Sequence, residues 1–210
     1  NRLEDDRLLR GGGRYTDDVH WTNEAFGFVF RSSFGHAKIL ELDVAAAREA
    51  EGVLAVYTFA DLQAAEYGAF PFGLPVKNAD GSVPFVPDRF ALADDKVRHV
   101  GEPVAFIVAE TEMAARDAAE LIMLDVDILD GVVDSELAMQ ADAPALFDGH
   151  INQCLEWQNN DGSEVAAALD GAAHVSRVKV ELNRLVAATM EPRGAIADYD
   201  STTERFTLHL

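Results

Sequence analysis

The first residues that could bind an anion are the run Gly11-Gly12-Gly13-Arg14, in which glycine N–H groups precede a cation. A phosphate-binding loop of this kind follows a strand and opens a helix whose N-terminus points at the anion. Here a charged arm, residues 1–10, precedes the glycines, and the acidic stretch 15–18 follows them. The context therefore predicts a flexible turn and not a phosphate site.

The side chains that could ligate a metal are Asp17, Asp18 and His20, which follow the glycines. Carboxylates suit hard cations and imidazoles suit zinc, but either metal needs a second group at ligand spacing. The other histidines form no H-x-x-x-H pair: they are His36, His99, His150, His174 and His209. We therefore interpret the first three residues as solvated turn residues and each remaining histidine as a lone polar residue.

A nucleophile is equally hard to place. The chain has one cysteine, Cys154, and no Gly-x-Ser-x-Gly elbow. A single cysteine excludes an intrachain disulfide and a cysteine-built metal cage. Because no catalytic signature surrounds it, Cys154 is either a buried structural thiol or an exposed bystander.

Two glutamates next to prolines are placed where a carboxylate can pin a loop. Glu102 precedes an apolar run and can accept hydrogen bonds from backbone N–H groups or from an arginine such as Arg98. Glu191 and Arg193 flank Pro192 and receive the same structural interpretation. The sequence thus assigns no catalytic, no cofactor-binding and no metal-ligating residue.

Charge and hydropathy exclude some partners. The chain carries 37 acidic and 17 basic residues, a formal net charge of −20. Sequence-independent nucleic-acid binding depends on neutralising phosphates with Lys and Arg, so we expect no nucleic-acid partner. The apolar runs are far shorter than the ~20 residues of a membrane helix, and no signal-peptide pattern is present. We expect no membrane span and a cytoplasmic protein.

A strand–helix–strand pattern positions these side chains. Its first copy has strands at residues 25–31, 36–42 and 53–58, with a helix at 44–51 between Asp43 as N-cap and Gly52 as C-cap. In the second strand, Leu42 and either Ile39 or Leu40 are expected to face the core.

The second copy runs from residue 104 to residue 129: a strand at 104–109, a helix at 112–121 capped by Thr111, and a strand at 122–129. Two such units on one sheet predict an α+β domain with helices packed on the sheet. Between them, residues 67–90 form a long proline-rich loop, which is typical of a functional or interface-forming segment.

The remaining chain is predicted to contain a surface linker at residues 142–158 and a short helix at 165–169, which the capping box at 161–164 begins. A half-buried strand is predicted from the alternation of Val178, Val180 and Leu182, and a hairpin is predicted to pair residues 195–199 with 206–210.

Five motifs in consistent order carry a family resemblance: residues 2–5 with 13–18, residues 31–39, residues 52–58, residues 92–105, and Met190-Glu191-Pro192-Arg193-Gly194. Together they resemble the molybdenum-binding large subunit of the xanthine dehydrogenase and aldehyde oxidase family, which includes the aerobic carbon monoxide dehydrogenases. In the second motif, Ser33, Gly35 and Lys38 depart from the family's pattern.

The resemblance implies an α+β fold in which an arm and an α/β-hammerhead domain occupy residues 1–135. A linker at 136–160 and the start of a molybdopterin-binding domain at 161–210 would follow. The chain would then be the N-terminal portion of its large subunit.

The resemblance also implies oxidation of an aldehyde, an N-heterocycle or carbon monoxide with water-derived oxygen at a molybdenum–molybdopterin centre. The implied partners are the rest of the large subunit, iron–sulfur and FAD subunits or domains, and a small-molecule substrate. The family's glycine-rich loop and base glutamate are not found in this sequence, so the chain is expected to be inactive alone. Two alternatives are a non-catalytic hammerhead scaffold module and a large subunit split between two genes.

Overall fold

The computed structural model describes residues 3–73, 75–159, 162–182, 185–186, 188–189 and 193–210. The chain divides into two compact units, a larger one of residues Ala25–Ala172 and a smaller one of Asn1–Glu24 with Ala173–Leu210. None of the described helices has the length and apolar character that crossing a membrane requires.

Five helices and eight strands occur in the described ranges. In chain order they are α1 Asp5–Leu9, β1 Phe26–Arg31, β2 Ala37–Asp43, α2 Ala45–Arg48, β3 Val53–Thr58, α3 Phe59–Ala64, β4 Lys96–Val97, β5 Pro103–Ala109, α4 Glu112–Ala119, β6 Met123–Ile128, α5 Ser163–Asp170, β7 Ile196–Asp200 and β8 Arg205–His209. Single 3-10 turns lie at Thr16–Asp18 and Leu137–Met139.

The larger unit contains two three-stranded antiparallel sheets, in the orders β1-β5-β3 and β4-β2-β6. The prediction that both strand–helix–strand copies lie on one sheet is therefore wrong. A crossover between parallel strands of one sheet needs a dozen or more residues. Only residues 44–52 separate β2 from β3, so the chain passes to the other sheet instead.

The core lies where α2 and α4 cover the first sheet. Strand β5 is central, and its Val104, Ala105, Ile107 and Ala109 are buried. Helix α4 packs on the sheet through buried alanines, whose small side chains let the helix and the sheet approach closely. The helix begins where the sequence predicts, because the Thr111 hydroxyl accepts the N–H of Ala114 as an N-cap. Burial of small residues on one helix face explains why the short α4 is stable.

Strand β1 is an edge strand, although apolar residues on both of its faces are typical of a buried strand. It pairs only with β5, and its apolar side chains are half-buried. Its one exposed glycine, Gly27, lies beneath the Phe106 ring: a Cβ there would come within 2.6 Å of that ring. The glycine is needed because the aromatic side chain covers the backbone at this point.

Strand β2 contains a bulge that decides which residue faces the core. The pairing with β6 shifts between Ile39 and Glu41, so Leu40 is the extra residue and is 57% exposed. Ile39 and Leu42 instead pack against the buried cluster of Ala37, Ala93, Val97 and Val104. Of the two alternatives in the sequence, Ile39 is thus the core residue.

Three predicted helices, α2, α4 and α5, differ in length from the prediction, and two described helices, α1 and α3, were not predicted. Helix α2 has four residues, with the Asp43 carboxylate accepting the N–H of Ala45 at 2.8 Å. Helix α5 is longer than predicted, and Gly162 is its N-cap. Sequence analysis did not predict α3, which opens with a capping box between Thr58 and Asp61.

The long loop and the predicted linker contact each other. The N–H of Ala79 donates to the carbonyl of Glu156 at 2.7 Å, and the N–H of Glu156 donates to Oδ1 of Asn78 at 3.0 Å. The Phe85 ring also stacks on His150, with centroids 3.6 Å apart. The loop at 67–90 therefore has a partner within the same unit.

In the smaller unit, residues 1–14 are not extended throughout, since α1 forms at Asp5–Leu9. The predicted hairpin is confirmed: β7 and β8 pair from Ile196–His209 to Asp200–Arg205. The predicted strand at Val178, Val180 and Leu182 is wrong. These side chains are 71–89% exposed and the backbone there joins no described sheet, because alternation alone does not make a strand without a partner edge.

Candidate functional site

The glycine run does not present its N–H groups to an anion. The N–H of Gly11 donates to the carbonyl of Leu8 and that of Gly12 donates to the carbonyl of Arg7 at 2.8 Å. The run therefore caps the C-terminus of α1, where the helix dipole is negative and repels anions. The predicted turn is confirmed.

The carboxylates and imidazole after the glycines are used locally. The Asp18 carboxylate accepts the N–H of Tyr15 at 2.9 Å. The ring Nδ1 of His20 lies 3.0 Å from the Glu24 carboxylate, which also accepts the N–H of Trp21. This N–H bond and the hydrogen bond from His20 lower the pKa of Glu24. Within the described residues, no three His, Cys, Asp or Glu side chains come together in a way that could hold a metal.

Glu102 pins a loop, as its sequence position predicted. Its carboxylate accepts a short hydrogen bond from the backbone N–H of Arg98. Its own carbonyl accepts the N–H of Ser32, while Arg31 donates to the carbonyl of Gly101 at 2.8 Å. These bonds join the 98–102 turn to the end of β1.

The Arg98 guanidinium does not reach Glu102 and is held by other groups. It donates to Asp94 at 2.9 Å, lies 3.7 Å from Asp95, and sits over the Phe147 ring at 4.8 Å from the centroid. Partial burial raises the pKa of Asp94, but the hydrogen bond and charge of Arg98 outweigh it, so the pKa is lowered.

The other residues considered in the sequence do not converge. Cys154 is exposed, which decides between its two interpretations. Arg193 is exposed, whereas Glu191 and Pro192 lie outside the described residues. His174 lies 3.1 Å from the Ser176 hydroxyl.

A polar cleft of about 450 Å³ was not predicted from the sequence. We call it the Lys96 cleft; its lining residues are His36, Lys38, Asp95, Lys96, Leu129, Asp130, Pro144, Ala145 and Asp148. Lys96 bonds both carboxylate oxygens of Asp148 at 2.7 Å. A usable signal was present: two of the chain's four lysines, Lys38 and Lys96, occur in the segments that become neighbouring strands β2 and β4.

A second, smaller cavity of about 150 Å³ is apolar. It is lined by Phe59, Leu62, Tyr67, Gly68, Phe70, Phe90 and Ala91. Its aromatic residues come from α3 and the long loop, with Phe59 edge-on to Phe90 at 4.9 Å. In the Lys96 cleft, Lys96 forms an ion pair and His36 a hydrogen bond to a backbone carbonyl, and the residues that line the smaller cavity carry no charge, so the two cavities support binding as their chemistry.

Comparison with known families finds a match that covers most of the larger unit and residues 10–24 of the smaller one. Residues 10–130 match the family model described as the aldehyde oxidase and xanthine dehydrogenase a/b hammerhead domain. The predicted α+β hammerhead fold is thereby confirmed, while the domain bounds at residues 135 and 160 stay predictions.

Individual relatives match across almost the whole chain. The large subunit of nicotine 6-hydroxylase from Paenarthrobacter nicotinovorans is 36% identical over 208 residues, covering 99% of this chain and 24% of that protein. The structure of quinoline 2-oxidoreductase from Pseudomonas putida 86 superimposes with a TM-score of 0.76 at 31% identity, over 99% of this chain and 25% of that one.

A third match comes from the Cu,Mo-CO dehydrogenase in its carbon monoxide-reduced state. It is 36% identical, with a TM-score of 0.56 over 69% of this chain and 17% of that one. The chain spans about a quarter of the length of the relatives that it matches end to end.

Proposed function

Because this chain belongs to the aldehyde oxidase and xanthine dehydrogenase family, we propose that it is the N-terminal part of the large subunit of a molybdenum-dependent hydroxylase or dehydrogenase. One observation carries the proposal. The chain aligns over 99% of its length with the large subunit of a hydroxylase while covering 24% of that subunit.

In this proposal the chain contributes structure and not catalysis. The hammerhead unit has a buried core, a pinned 98–102 turn and a long loop tied to residues 147–156. Among the described residues, the glycine run is not free to bind an anionic group of a cofactor, because the N–H groups of Gly11 and Gly12 donate to the last carbonyls of α1. We therefore assign the cofactor, a molybdenum ion bound by a pterin dithiolene, to the remainder of the large subunit.

The substrate class follows from the relatives' names. They act on nicotine, quinoline and carbon monoxide, so the proposed reaction is oxidation of an N-heterocycle, an aldehyde or carbon monoxide with oxygen taken from water. Electrons would leave through iron–sulfur and FAD subunits or domains of a cytoplasmic complex. When bound, the cofactor supplies the redox chemistry.

The test uses the complete protein from its own host. An affinity tag at the N-terminus of this chain recovers the complex, and elemental analysis measures molybdenum against protein. We expect molybdenum equimolar with the chain, together with iron and flavin. Turnover of nicotine, quinoline, an aldehyde panel and carbon monoxide is then measured with a dye acceptor in ¹⁸O-labelled water.

Two results are informative in opposite directions. Label in the product of one substrate class supports the proposal and names that class. A pure complex without molybdenum and without turnover overturns it and leaves the non-catalytic hammerhead module as the function of the chain.

A further inference from the structure

The Lys96 cleft contains a nearly buried cation whose counter-ion is an exposed side chain. The Lys96 side chain is 13% exposed, whereas that of Asp148 is 85% exposed. In the part of the chain that the structure describes, Asp148 is the one carboxylate in ion-pair distance of Lys96. A desolvated ammonium is costly without an anion, so this point in the cleft requires a negative group, and Asp148 supplies it from the solvent side.

Other cations face the same point. The hydrogen bond and charge of Lys96 lower the pKa of Asp148, and the charges of Arg98 and His36 act in the same direction. Lys96 lies in β4, Arg98 directly follows β4, and His36 directly precedes β2. The position of the Asp148 carboxylate is therefore locally electropositive in a chain whose net charge is −20.

His36 offers a second polar contact in the cleft. Its side chain lines the cleft and the residue is 6% exposed. Ring atom Nδ1 lies 2.7 Å from the carbonyl of Asp130, so Nδ1 is the donor. Among the described residues, Nε2 has no hydrogen-bond partner. A buried unpaired nitrogen calls for a hydrogen-bond partner, either an ordered water or a group of a ligand. It can accept a hydrogen bond from a hydroxyl or, when protonated, donate one to an oxyanion.

Asp95 and Asp130 also line the cleft, but among the described residues neither carboxylate lies within ion-pair distance of Lys96. Asp95 lies 3.7 Å from the Arg98 guanidinium. Asp130 contributes its backbone carbonyl to His36. Withdrawal of the Asp148 side chain would leave the Lys96 ammonium without its anion beside the open volume of the cleft.

We propose that the Lys96 cleft binds a phosphate group, free or as a monoester, which displaces the Asp148 carboxylate. The ammonium of Lys96 binds an anionic phosphate oxygen, and Nε2 of His36 pairs with a second oxygen through one shared proton. Asp148 occupies the site in the absence of ligand and leaves without disturbing the core, because its side chain is exposed. The site is independent of the proposed oxidoreductase activity.

Inorganic phosphate is the probe, and calorimetric titration of the 210-residue chain at constant ionic strength measures binding. Asp148→Asn removes the competing carboxylate, so we expect phosphate to bind about fivefold tighter than to the unchanged chain, the factor corresponding to one exposed ion pair. Adding Lys96→Met or His36→Gln to that variant should weaken binding by about tenfold or more, because each removes a charge-assisted hydrogen bond.

Lys179→Met is the matched control, because Lys179 also pairs with a carboxylate, Glu181 at 3.1 Å, but lies outside the cleft. Binding by Asp148→Asn that survives Lys179→Met and is lost with Lys96→Met supports the site. Absence of binding to a folded Asp148→Asn chain overturns it, as does binding that is indifferent to both Lys96 and His36. Circular dichroism establishes that each variant is folded. Because Lys96→Met and His36→Gln are tested separately, one folded variant is enough to decide the outcome if the other does not fold.

Discussion

The Asp61 carboxylate connects three elements of the larger unit. Its carboxylate accepts both the N–H and the hydroxyl of Thr58 at 2.7 Å, which caps α3, and it pairs with Arg48 at 2.9 Å. Arg48 in turn donates to the carbonyl of Val56. One carboxylate thus joins α2, β3 and α3.

Partial burial acts to raise the pKa of Asp61, but the Thr58 hydrogen bonds and the Arg48 charge outweigh it and lower the pKa. A lowered folded-state pKa means that Asp61 stabilises the fold above its unfolded pKa of about 3.9 and loses this contribution as the pH falls below that value. Asp61→Asn should therefore lower the free energy of unfolding by about 1 kcal/mol at pH 7. In urea titrations the deficit should shrink below about pH 4.

Asp88→Asn provides the comparison, because it removes one exposed loop carboxylate and should change stability little. A deficit for Asp61→Asn that is the same at pH 7 and at low pH would show that the carboxylate charge is not what stabilises this junction.

At the scale of elements, residues 147–152, which follow β6 in the chain, pack against other parts of the larger unit. We call this segment the strap. Phe147 lies under Arg98, Asp148 binds Lys96 and His150 stacks on Phe85. Further on, Asn152 donates to the carbonyls of Ala138 and Pro144. These contacts make part of the predicted linker at 136–160 a packed segment.

Two shortened chains test the strap. A chain ending at residue 158 keeps these contacts, whereas one ending at residue 146 loses the three aromatic and ionic contacts at 147–150 together with the hydrogen bonds of Asn152 and Glu156. We expect the shorter chain to melt at least about 2–4 °C lower, the shift that corresponds to a loss of about 1 kcal/mol in a chain of roughly 150 residues. Differential scanning calorimetry of the two chains measures this, and equal melting temperatures would mean that the strap adds no stability.

At the scale of the whole molecule, the large negative net charge is expected to affect the stability of the fold. A net charge of −20 on 210 residues produces self-repulsion in the folded state. Raising sodium chloride from about 0.02 to 0.5 M shortens the Debye length from roughly 20 Å to about 4 Å. The melting temperature at pH 7 should therefore rise by several degrees. Near the sequence pI of about 4.4 the same salt series should have little effect, and an equal rise at both pH values would point to a cause other than repulsion.

The sequence by itself determined the local elements. Strand β3, the Thr111 cap of α4 and the β7–β8 hairpin were predicted close to their observed bounds, because capping chemistry, turns and dense β-branched runs are encoded within a few residues. The family was also readable, since ordered motifs survive along the chain, and so was the loop-pinning role of Glu102.

Only the tertiary structure decided how these elements assemble. The division of the strands into two sheets, the choice of Ile39 over Leu40 and the edge position of β1 depend on pairings between distant segments. The Lys96 cleft likewise joins His36, Lys96 and Asp148, which no spacing rule connects. Local sequence specifies backbone preferences within a few residues, whereas pairing, bulges and clefts are set by long-range packing free energies that a single sequence does not display.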